Sequence, residues 1–436
     1  MTTIDSINNR LQQLQVNGTN GKLSTIQQQA MEAFNRMGIP TGRHEEWKYT
    51  RIGSIFNKPY LFPEKTITTS LTAKELDPFR LPGYEEANEL VFVNGMYDEA
   101  LSTIRSNALV VFPLEVAAIN EYKEVVSKHL AHSNRYVKDG IHALNTAFVK
   151  QGIFVHIRKG LVTEHPVCIY HVTDARSANI FSQPRTLLHI GENAEVQMVE
   201  TSVTIGMPDN FSSQVLEIVV EKDAVLEYYK IQNDVSSASQ VSTTLIRQVG
   251  KSYVHTVTIS LNGSIVRNNL NIALEAERAE ANLHGLYFLK GQSHIDNHTV
   301  VDHVKPNCQS NELYKGIIDD QATAVFNGKI FVQPDAQKTN AFQSNKNILM
   351  SESATVNTKP QLEIFADDVK CSHGCTVGRL DEEGMFYLQS RGISEKIARS
   401  LLVHAFAVDI LEHIKPEPLR NYIDQLISER LEFDIS

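Results

Sequence analysis

The amino-acid sequence predicts a mainly β protein whose repetitive core lies between helical segments at both ends. Segments such as AEVQMVETSVTI and AVLEYYKIQ are rich in Val, Ile, Thr and Tyr, which is typical of strands. A polar turn and a small residue precede many of these segments, and apolar residues at helical spacing occur near both termini. We therefore expect an N-terminal mixed helical domain at 1–130, a β core at 131–388 and a C-terminal helical domain at 389–436.

The N-terminal region combines helical stretches with polar loops. In TIQQQAMEAFNRMG the apolar residues recur at helical spacing, and Gly38 is suited to end the helix. Residues 44–50, HEEWKYT, follow and contain the only tryptophan, Trp47. Large aromatic side chains mostly serve packing, so we expect Trp47 to anchor this segment, while any further role of HEEWKYT stays open.

The β core contains a degenerate repeat. Seven turns of similar polar character precede strand-like segments, and their equivalent positions are Ala194, Ala224, Ser252, Ala279, Ala322, Ala354 and Val369. The steps between them are 30, 28, 27, 43, 32 and 15 residues, which approximate multiples of about 15. Stacked repeats bury a continuous core that no single repeat forms alone, which favours a β-helix. A β-sandwich is the alternative, because its strands are also short and alternating.

The C-terminal segment returns to helical periodicity. Ser394 is suited to cap a helix that begins at Glu395, and Pro416 and Pro418 separate it from a second amphipathic helix, PLRNYIDQLISERL. The predicted apolar face of the first helix comprises Leu401, Leu402, Ala405 and Phe406. Open ends of a β-helix expose unpaired backbone groups, so we expect the two helices to cover the end of the solenoid.

Composition indicates an ordinary globular protein. Of the 436 residues 42% are hydrophobic and 21% charged, and the net charge of -10 argues against a nucleic-acid partner, which requires a basic face. No run of about 18 apolar residues occurs, and the opening MTTIDSINNR lacks the order of a secretory signal. We therefore expect no membrane span and a cytoplasmic location. The four cysteines are too few for a disulfide framework, and reduced thiols are expected at Cys168, Cys308, Cys371 and Cys375.

The densest set of potential metal ligands lies in KCSHGC, residues 370–375. Cys371, His373 and Cys375 alternate, and alternate side chains of an extended strand lie on one face. Thiolate and imidazole suit iron, zinc or an iron-sulfur cluster, but one such segment cannot complete a site, so a partner or a neighbouring coil must supply the rest. The alternative is two small core cysteines beside an incidental histidine, and a bulge at Gly374 would turn Cys375 away.

A second polar cluster covers residues 294–316 and includes His294, His298, His303 and Cys308. Its spacing fits no tight ligand set, so we favour histidines on a solvated strand face, with Cys308 marking a turn. The sequence has no GxxxxGK[ST] phosphate loop, no GxGxxG opening a strand-helix unit, no GxSxG and no HExxH motif. ATP chemistry would therefore come from a partner.

Four further segments are distinctive, namely HEEWKYT, ALNTAFVKQGIFVHIRKG at 143–160, KCSHGCTVGRLDEEGMFYLQSRGI at 370–393 and the helical tail. Together they resemble the SufB/SufD family of the Suf iron-sulfur assembly system. The resemblance implies a right-handed parallel β-helix core, a C-terminal helical domain and a noncatalytic scaffold that pairs with SufB and is bound by the ATPase SufC. It also implies that His373, with Cys371 beside it, contributes to a nascent cluster at the SufB interface, and that residues 390–436 dock SufC.

Two features refine this resemblance. Cys375 stands where family members usually carry a small alanine, so it is either a third ligand or a small core residue. The GAHTFPY pattern of SufB is absent, which favours the SufD branch. The cluster is then expected to be transient and shared with SufB, with no cofactor held tightly by the isolated chain. A homodimer in isolation and binding of a flavin stay open.

A carbohydrate-active β-helix enzyme, such as a polysaccharide lyase, is the rival from another class because it uses the same kind of solenoid. The sequence shows no secretion signal and no recognisable catalytic carboxylate or calcium motif, which counts against this rival. We therefore predict a scaffold rather than an enzyme.

Overall fold

The computed structural model describes residues 7–9, 11, 22–63, 71–206 and 209–431, and strands dominate it. The strands are β1 (Asn88–Val93), β2 (Met96–Tyr97), β3 (Leu109–Pro113), β4 (Ile153–Ile157), β5 (Val167–Ala175), β6 (Phe181–Ser182), β7 (Arg185–Ile190), β8 (Glu195–Gly206), β9 (Phe211–Val220), β10 (Val225–Asn233), β11 (Ser239–Gln248), β12 (Tyr253–Asn262), β13 (Ile265–Leu274), β14 (Glu280–Leu289), β15 (His294–His303), β16 (Gln309–Ile318), β17 (Thr323–Val332), β18 (Asn340–Leu349), β19 (Thr355–Ile364) and β20 (Lys370–Gly378).

Helices occur before and after this run of strands and in the connections at its start. The α-helices are α1 (Lys22–Met37), α2 (Ala73–Leu76), α3 (Leu114–Ala117), α4 (Lys123–His129), α5 (Gly140–Ala147), α6 (Glu382–Ser390), α7 (Glu395–Leu411) and α8 (Glu417–Arg430). Short 3-10 helices lie at Glu45–Trp47, Ile55–Asn57, Asp77–Phe79, His132–Arg135 and Val149–Gln151. None of the described helices combines the length and the apolar character needed to span a bilayer.

The strands form two long sheets around a common core. Sheet one has the order β2, β1, β5, β8, β10, β12, β14, β16, β18, β20, and sheet two has the order β19, β17, β15, β13, β11, β9, β7, β4, β3, with β6 beside β9. From β7 onward, neighbours within a sheet are two apart in the chain and run parallel, so the chain alternates between the sheets in a solenoid of about eight turns. The predicted β-helix is confirmed, and the β-sandwich alternative is wrong.

The repeat read from the sequence marks half-turns of this solenoid. Ala194, Ala224, Ser252 and Ala279 each immediately precede a strand of sheet one, whereas Ala322 and Ala354 precede strands of sheet two. The 43-residue step therefore crosses from one sheet to the other. Cys308, just before β16, holds the equivalent position in sheet one between Ala279 and Ala322, which confirms its prediction as a turn residue.

Left-handed backbone conformations explain why polar turns recur in step. Asn193, Asp223 and Asn307 have φ values of 56, 57 and 62 degrees, and each comes directly before a small buried residue that opens a strand. Asn and Asp tolerate this conformation better than other non-glycine residues because their short side chains form local hydrogen bonds. This local constraint recurs at several corners and favours the same turn geometry there.

The C-terminal helices pack against the flank of the solenoid, so the prediction that they cover its end is wrong. Val403, Ala407 and Ile410 of α7 belong to one buried cluster with Val257 and Leu286 of sheet one. The outward-facing side chains of these strands are apolar, and burying them against a helix removes that surface from water. The last turn of the solenoid is left uncovered as a result.

The predicted apolar face of α7 is also wrong in part. Leu401 is 41% exposed and Ala405 is exposed, while Leu402 and Phe406 are half-buried. The buried face instead follows Val403, Ala407 and Ile410, because these positions meet the flat outer face of sheet one. The predicted cap is confirmed, since the Ser394 side chain accepts a hydrogen bond from the Ile397 amide.

The N-terminal region covers the outer face of sheet two. Trp47 is 2% exposed and clusters with Phe56, with Ile141 of α5 and with Phe211 and Val241 from the strands. The prediction that Trp47 is a packing anchor is confirmed. The three-domain division stays a prediction, and β1 to β3, from residues assigned to its first domain, are hydrogen-bonded into the two sheets.

Candidate functional site on the last turn

The last turn of the solenoid carries a surface with unpaired strand edges. β19 and β20 end their sheets, and no further described strand pairs with their outer edges. Nearly every residue of β20 is exposed, whereas all six residues of β1 near the opposite end are buried. Large apolar side chains are exposed around this turn, namely Phe342, Ile364, Phe365, Val377, Phe386 and Tyr387. Such a patch beside free strand edges is typical of a protein interface.

The candidate ligands lie on the inner face of β20. Cys371, His373 and Cys375 pair in continuous register with Ala341, Gln343 and Asn345 of β18, so no bulge occurs at Gly374. Ala341 is a core residue and Cys371 packs against the same core cluster, which sets the inward direction for all three side chains. The alternation predicted from the sequence is confirmed.

The three side chains differ in exposure. Cys371 is half-buried, and burial raises the pKa of its thiol. His373 and Cys375 are exposed because no further turn lies over them. In the part of the chain that the structure describes, no three His, Cys, Asp or Glu side chains are arranged to hold a metal ion. The strand therefore offers soft ligands that face an open end, without a complete site.

Two residues that the sequence did not single out lie beneath His373. In the inner column, Gln343 is its neighbour on β18 and Glu312 follows on β16, and both side chains are buried. Gln343 Nε2 donates a 2.7 Å hydrogen bond to Glu312 Oε2, and burial raises the pKa of Glu312 to about 7. Aligning every turn, including the one opened by Cys308, would have placed these residues in one column.

The lumen under the last turn is polar. Glu312 Oε1 and Gln343 Oε1 are buried and accept no hydrogen bond from any residue in the described ranges. Gln343 also packs closely against Gly328 across the lumen, where an added Cβ would lie 2.3 Å from Nε2. Asn345 Nδ2 donates to the Tyr287 hydroxyl at 2.9 Å. Unpaired acceptors therefore lie directly behind the exposed ligands.

The remaining cysteines are structural. Cys168 and Cys308 are buried, and all four cysteines are free of disulfides. Burial raises the pKa of Cys168 to about 12 and also raises that of Cys308, so neither thiol is available as a thiolate near neutral pH.

The solvated strand face predicted for the 294–316 cluster is wrong, because His298 and His303 are buried. His298 and Asp296 lie on the outer face of β15, and the HEEWKYT segment covers them. His303 lies on the inner face, is fully buried and is 2.9 Å from the Ser310 hydroxyl. These histidines are therefore divided between the two faces of one strand.

Comparisons with known proteins cover nearly the whole chain. A family model described as SUF system FeS cluster assembly, SufBD core domain, matches residues 171–406, and one described as SufBD protein N-terminal region matches residues 7–169. Iron-sulfur cluster assembly protein SufD of Escherichia coli is 30% identical over 99% of this chain and 99% of its own length. An iron-sulfur cluster assembly SufBD family protein of Synechocystis is 30% identical, with 96% of this chain and 94% of that protein covered. Protein ABCI7, chloroplastic, of Arabidopsis thaliana is 31% identical over 61% of this chain.

Proposed function

The chain belongs to the SufB/SufD family of iron-sulfur cluster assembly proteins, and from this premise we propose that it is a SufD-type scaffold that pairs with SufB and docks the ATPase SufC. Its role in cluster assembly follows from the family, and a carbohydrate-active enzyme is not favoured. One observation supports the finer proposal more than any other. The candidate ligands Cys371 and His373 lie on an uncovered strand at an open end of the solenoid.

The open end suits a partner with the same architecture. β19 and β20 offer one free edge in each sheet, so a second β-helix of matching period extends both sheets at once. The exposed Phe365 and Val377 beside these edges would be buried by such pairing. We propose that SufB is this partner, and that a homodimer forms through the same end only when SufB is absent.

The nascent cluster is cargo at this interface. Thiolate and imidazole suit iron and iron-sulfur clusters, and His373 is exposed on the last strand of the open end. Cys371 is the second proposed ligand. Cys375 lies on the same face of β20 and is the third position from which a thiolate could bind the cluster. Because the strand lacks a complete site, SufB supplies the remaining ligands, and the isolated chain holds no cluster tightly. The chain then acts as a scaffold and not as an enzyme.

The C-terminal helices are the proposed docking site for SufC. Ile397 and Leu401 of α7 are exposed on the side opposite the solenoid. The buried side is held firmly, since Lys315 Nζ donates to the Phe406 carbonyl at 2.9 Å and His255 Nε2 is 2.8 Å from the His413 carbonyl. Nucleotide-driven motion of SufC would therefore be passed to sheet one. The expected cytoplasmic location stays a prediction.

The test is anaerobic reconstitution of the complex after co-expression with SufB and SufC. We expect the His373→Ala variant to co-purify with both partners but to yield several-fold less cluster, measured as acid-labile sulfide and visible absorbance per complex. His165→Ala is the matched control, because His165 is 44% exposed and lies in the loop before β5. Unchanged cluster yield would refute the ligand role of His373, and purification of the chain alone would refute the scaffold.

A further inference from the structure

A large cleft lies away from the last turn, between the N-terminal region and the outer face of sheet two. Its volume is about 760 Å³, and it is lined by the HEEWKYT segment, by residues 135–140 and by outward-facing side chains of β13, β15 and β17. This volume falls within the range of small-molecule sites. The proposed scaffold role does not use this cleft.

Ion pairs attach the HEEWKYT segment to the floor of the cleft. Glu46 Oε1 is 2.6 Å from Lys329 Nζ, and Glu46 Oε2 is 3.3 Å from His298 Nδ1. The hydrogen bond with His298 is the main reason that the pKa of Glu46 falls to about 2. Arg267 lies 4.0 Å from the Trp47 ring centroid and donates to Asp296 at 2.8 Å. The floor is thus rigid, and its buried charges are matched.

The acidic groups that line the cleft have partners. Glu45 forms a 2.7 Å ion pair with Lys359, and Asp302 accepts 2.9 Å hydrogen bonds from the Tyr136 hydroxyl and from Gln333. Asp139 accepts a hydrogen bond from the His142 amide at the start of α5. Glu45 and Glu46 are therefore each paired with a cation, whereas Asp302 and Asp139 receive hydrogen bonds from neutral groups and have no cation partner among the described residues.

Three of the cations that line the cleft have no ion-pair partner among the described residues. Arg36, Arg135 and Lys138 line it and are exposed, and none forms an ion pair with a residue in the described part of the chain. Because the chain carries a net charge of -10, a cleft with three unpaired cations against two carboxylates that lack a cation partner is a local exception. Such a cluster attracts a multiply charged anion, and guanidinium groups match phosphate in geometry.

The wall of the cleft offers a specific polar contact. Asn327 is only 8% exposed, and its Oδ1 accepts no hydrogen bond within the described residues. Its Nδ2 is 3.5 Å from Glu46 Oε2, so Oδ1 is the free atom. Tyr136 and Phe331 are half-buried and add aromatic surface. A buried acceptor without a donor costs free energy unless a ligand or water supplies one.

We propose that this cleft binds a small organic phosphate. The phosphate group lies among Arg36, Arg135 and Lys138, and the organic part donates a hydrogen bond to Asn327 Oδ1 and contacts Phe331. An inorganic anion would satisfy the cations but would leave Asn327 and most of the volume unused. The site is thus a small-molecule site separate from the last turn.

Isothermal titration of the full chain with ADP, glucose 6-phosphate, inorganic pyrophosphate and adenosine tests this proposal. We expect one equivalent of ADP or glucose 6-phosphate to bind, at least ten-fold more tightly than pyrophosphate or adenosine and more weakly as salt rises. Arg135→Gln combined with Lys138→Gln should weaken binding at least ten-fold. Arg278→Gln combined with Lys251→Gln is the control. This double variant removes the same charge, and both residues are exposed and lie outside the cleft.

Asn327→Ala tests the organic part. This variant should weaken the organic phosphates several-fold without changing the affinity for pyrophosphate, provided its melting temperature matches the parent chain. Failure of both organic phosphates to bind would overturn the proposal, as would equal losses in the cleft and control variants. Pyrophosphate bound as tightly as ADP would reduce the cleft to a simple anion site. Binding of a poly-glutamate peptide in place of the phosphates would make it a protein-docking surface and would also overturn the proposal.

Discussion

The two ends of the solenoid are built from the same repeat but treat their strand edges in opposite ways. At the first end, β2 returns antiparallel along β1 and β3 pairs antiparallel with β4, so the chain folds back over its own edge. At the last end, β19 and β20 stay parallel to their neighbours and leave their outer edges free. Free edges invite association, so the contrast supports the proposal that the last end, rather than the first, binds a partner.

The two halves of the lumen also differ in whether their buried carboxylates have a cation partner. Near the first end, the buried Glu200 is 3.0 Å from Lys230 Nζ and 2.8 Å from His171 Nε2. Burial alone would raise the pKa of Glu200, but Lys230, His171 and the Tyr228 hydroxyl together outweigh burial and lower it. Near the last end, the buried Glu312 has an amide partner but no cation, and its pKa is raised to about 7. Charge is compensated within the closed half and left uncompensated behind the open end.

The largest effect is expected from charging the open edge. Phe365→Lys combined with Val377→Lys should reduce co-purification with SufB more than ten-fold, because two cations would replace apolar contacts beside both free edges. Both side chains are largely exposed, at 60% and 47%, so the melting temperature of the isolated chain should change little. Ile119→Lys is the control, being 80% exposed and outside the last turn. Normal recovery of SufB with the double variant would show that SufB does not bind at the open end.

Removing the compensated charge should be strongly destabilising. Glu200→Gln leaves Lys230 and His171 buried without their carboxylate, and breaking a buried pair in this way costs about 3–5 kcal/mol. Urea unfolding at pH 7 measures the loss. Because the folded pKa of Glu200 is lowered, its contribution is present above the unfolded value and fades as pH falls below it, so the parent and the variant should converge in acid. A loss of less than about 1 kcal/mol in the free energy of unfolding at pH 7 would contradict the stabilising role of the Glu200 ion pairs.

Replacing Glu312, the uncompensated carboxylate, should stabilise the fold, and the change in the free energy of unfolding should be smaller than for Glu200. The pKa of Glu312 is about 7 in the folded chain against 4.5 as the ordinary value, so its neutral form is favoured by folding. The associated stability is complete below pH 4.5 and is lost as pH rises to 7, a change of about 3 kcal/mol. Glu312→Gln should therefore be more stable than the parent chain by up to about 3 kcal/mol at pH 8 and similar to it at pH 4.5. Unfolding curves at the two pH values decide this, and a pH-independent difference would contradict it.

The β-helix could be predicted because its determinants are local. Left-handed residues such as Asn193 and Asp223 recur at the corners, and each comes before a small residue, so the period is visible in the sequence. The inward alternation of Cys371, His373 and Cys375 needed only the two-residue period of a strand. These features require no knowledge of which strands are neighbours.

The features that were missed depend on contacts between turns. The position of α7 follows from apolar side chains such as Val257 and Leu286, which come from separate turns and form a surface only after the strands align. Glu312 and Gln343 likewise become part of the candidate site only because register stacks them under His373. A sequence repeat that passes over Cys308 cannot supply that register.

The free edge of β20 also has a consequence for the order in which the molecule forms and opens. In a solenoid each strand is positioned by the one before it, so a strand with a neighbour on one side only is the first to exchange its amide protons. We therefore expect the proposed ligands to lie on one of the two least protected strands of the last turn, β19 and β20, until a partner binds. A partner that pairs with β20 would complete the ligand set and slow local opening in the same step, which couples cluster retention to assembly of the complex.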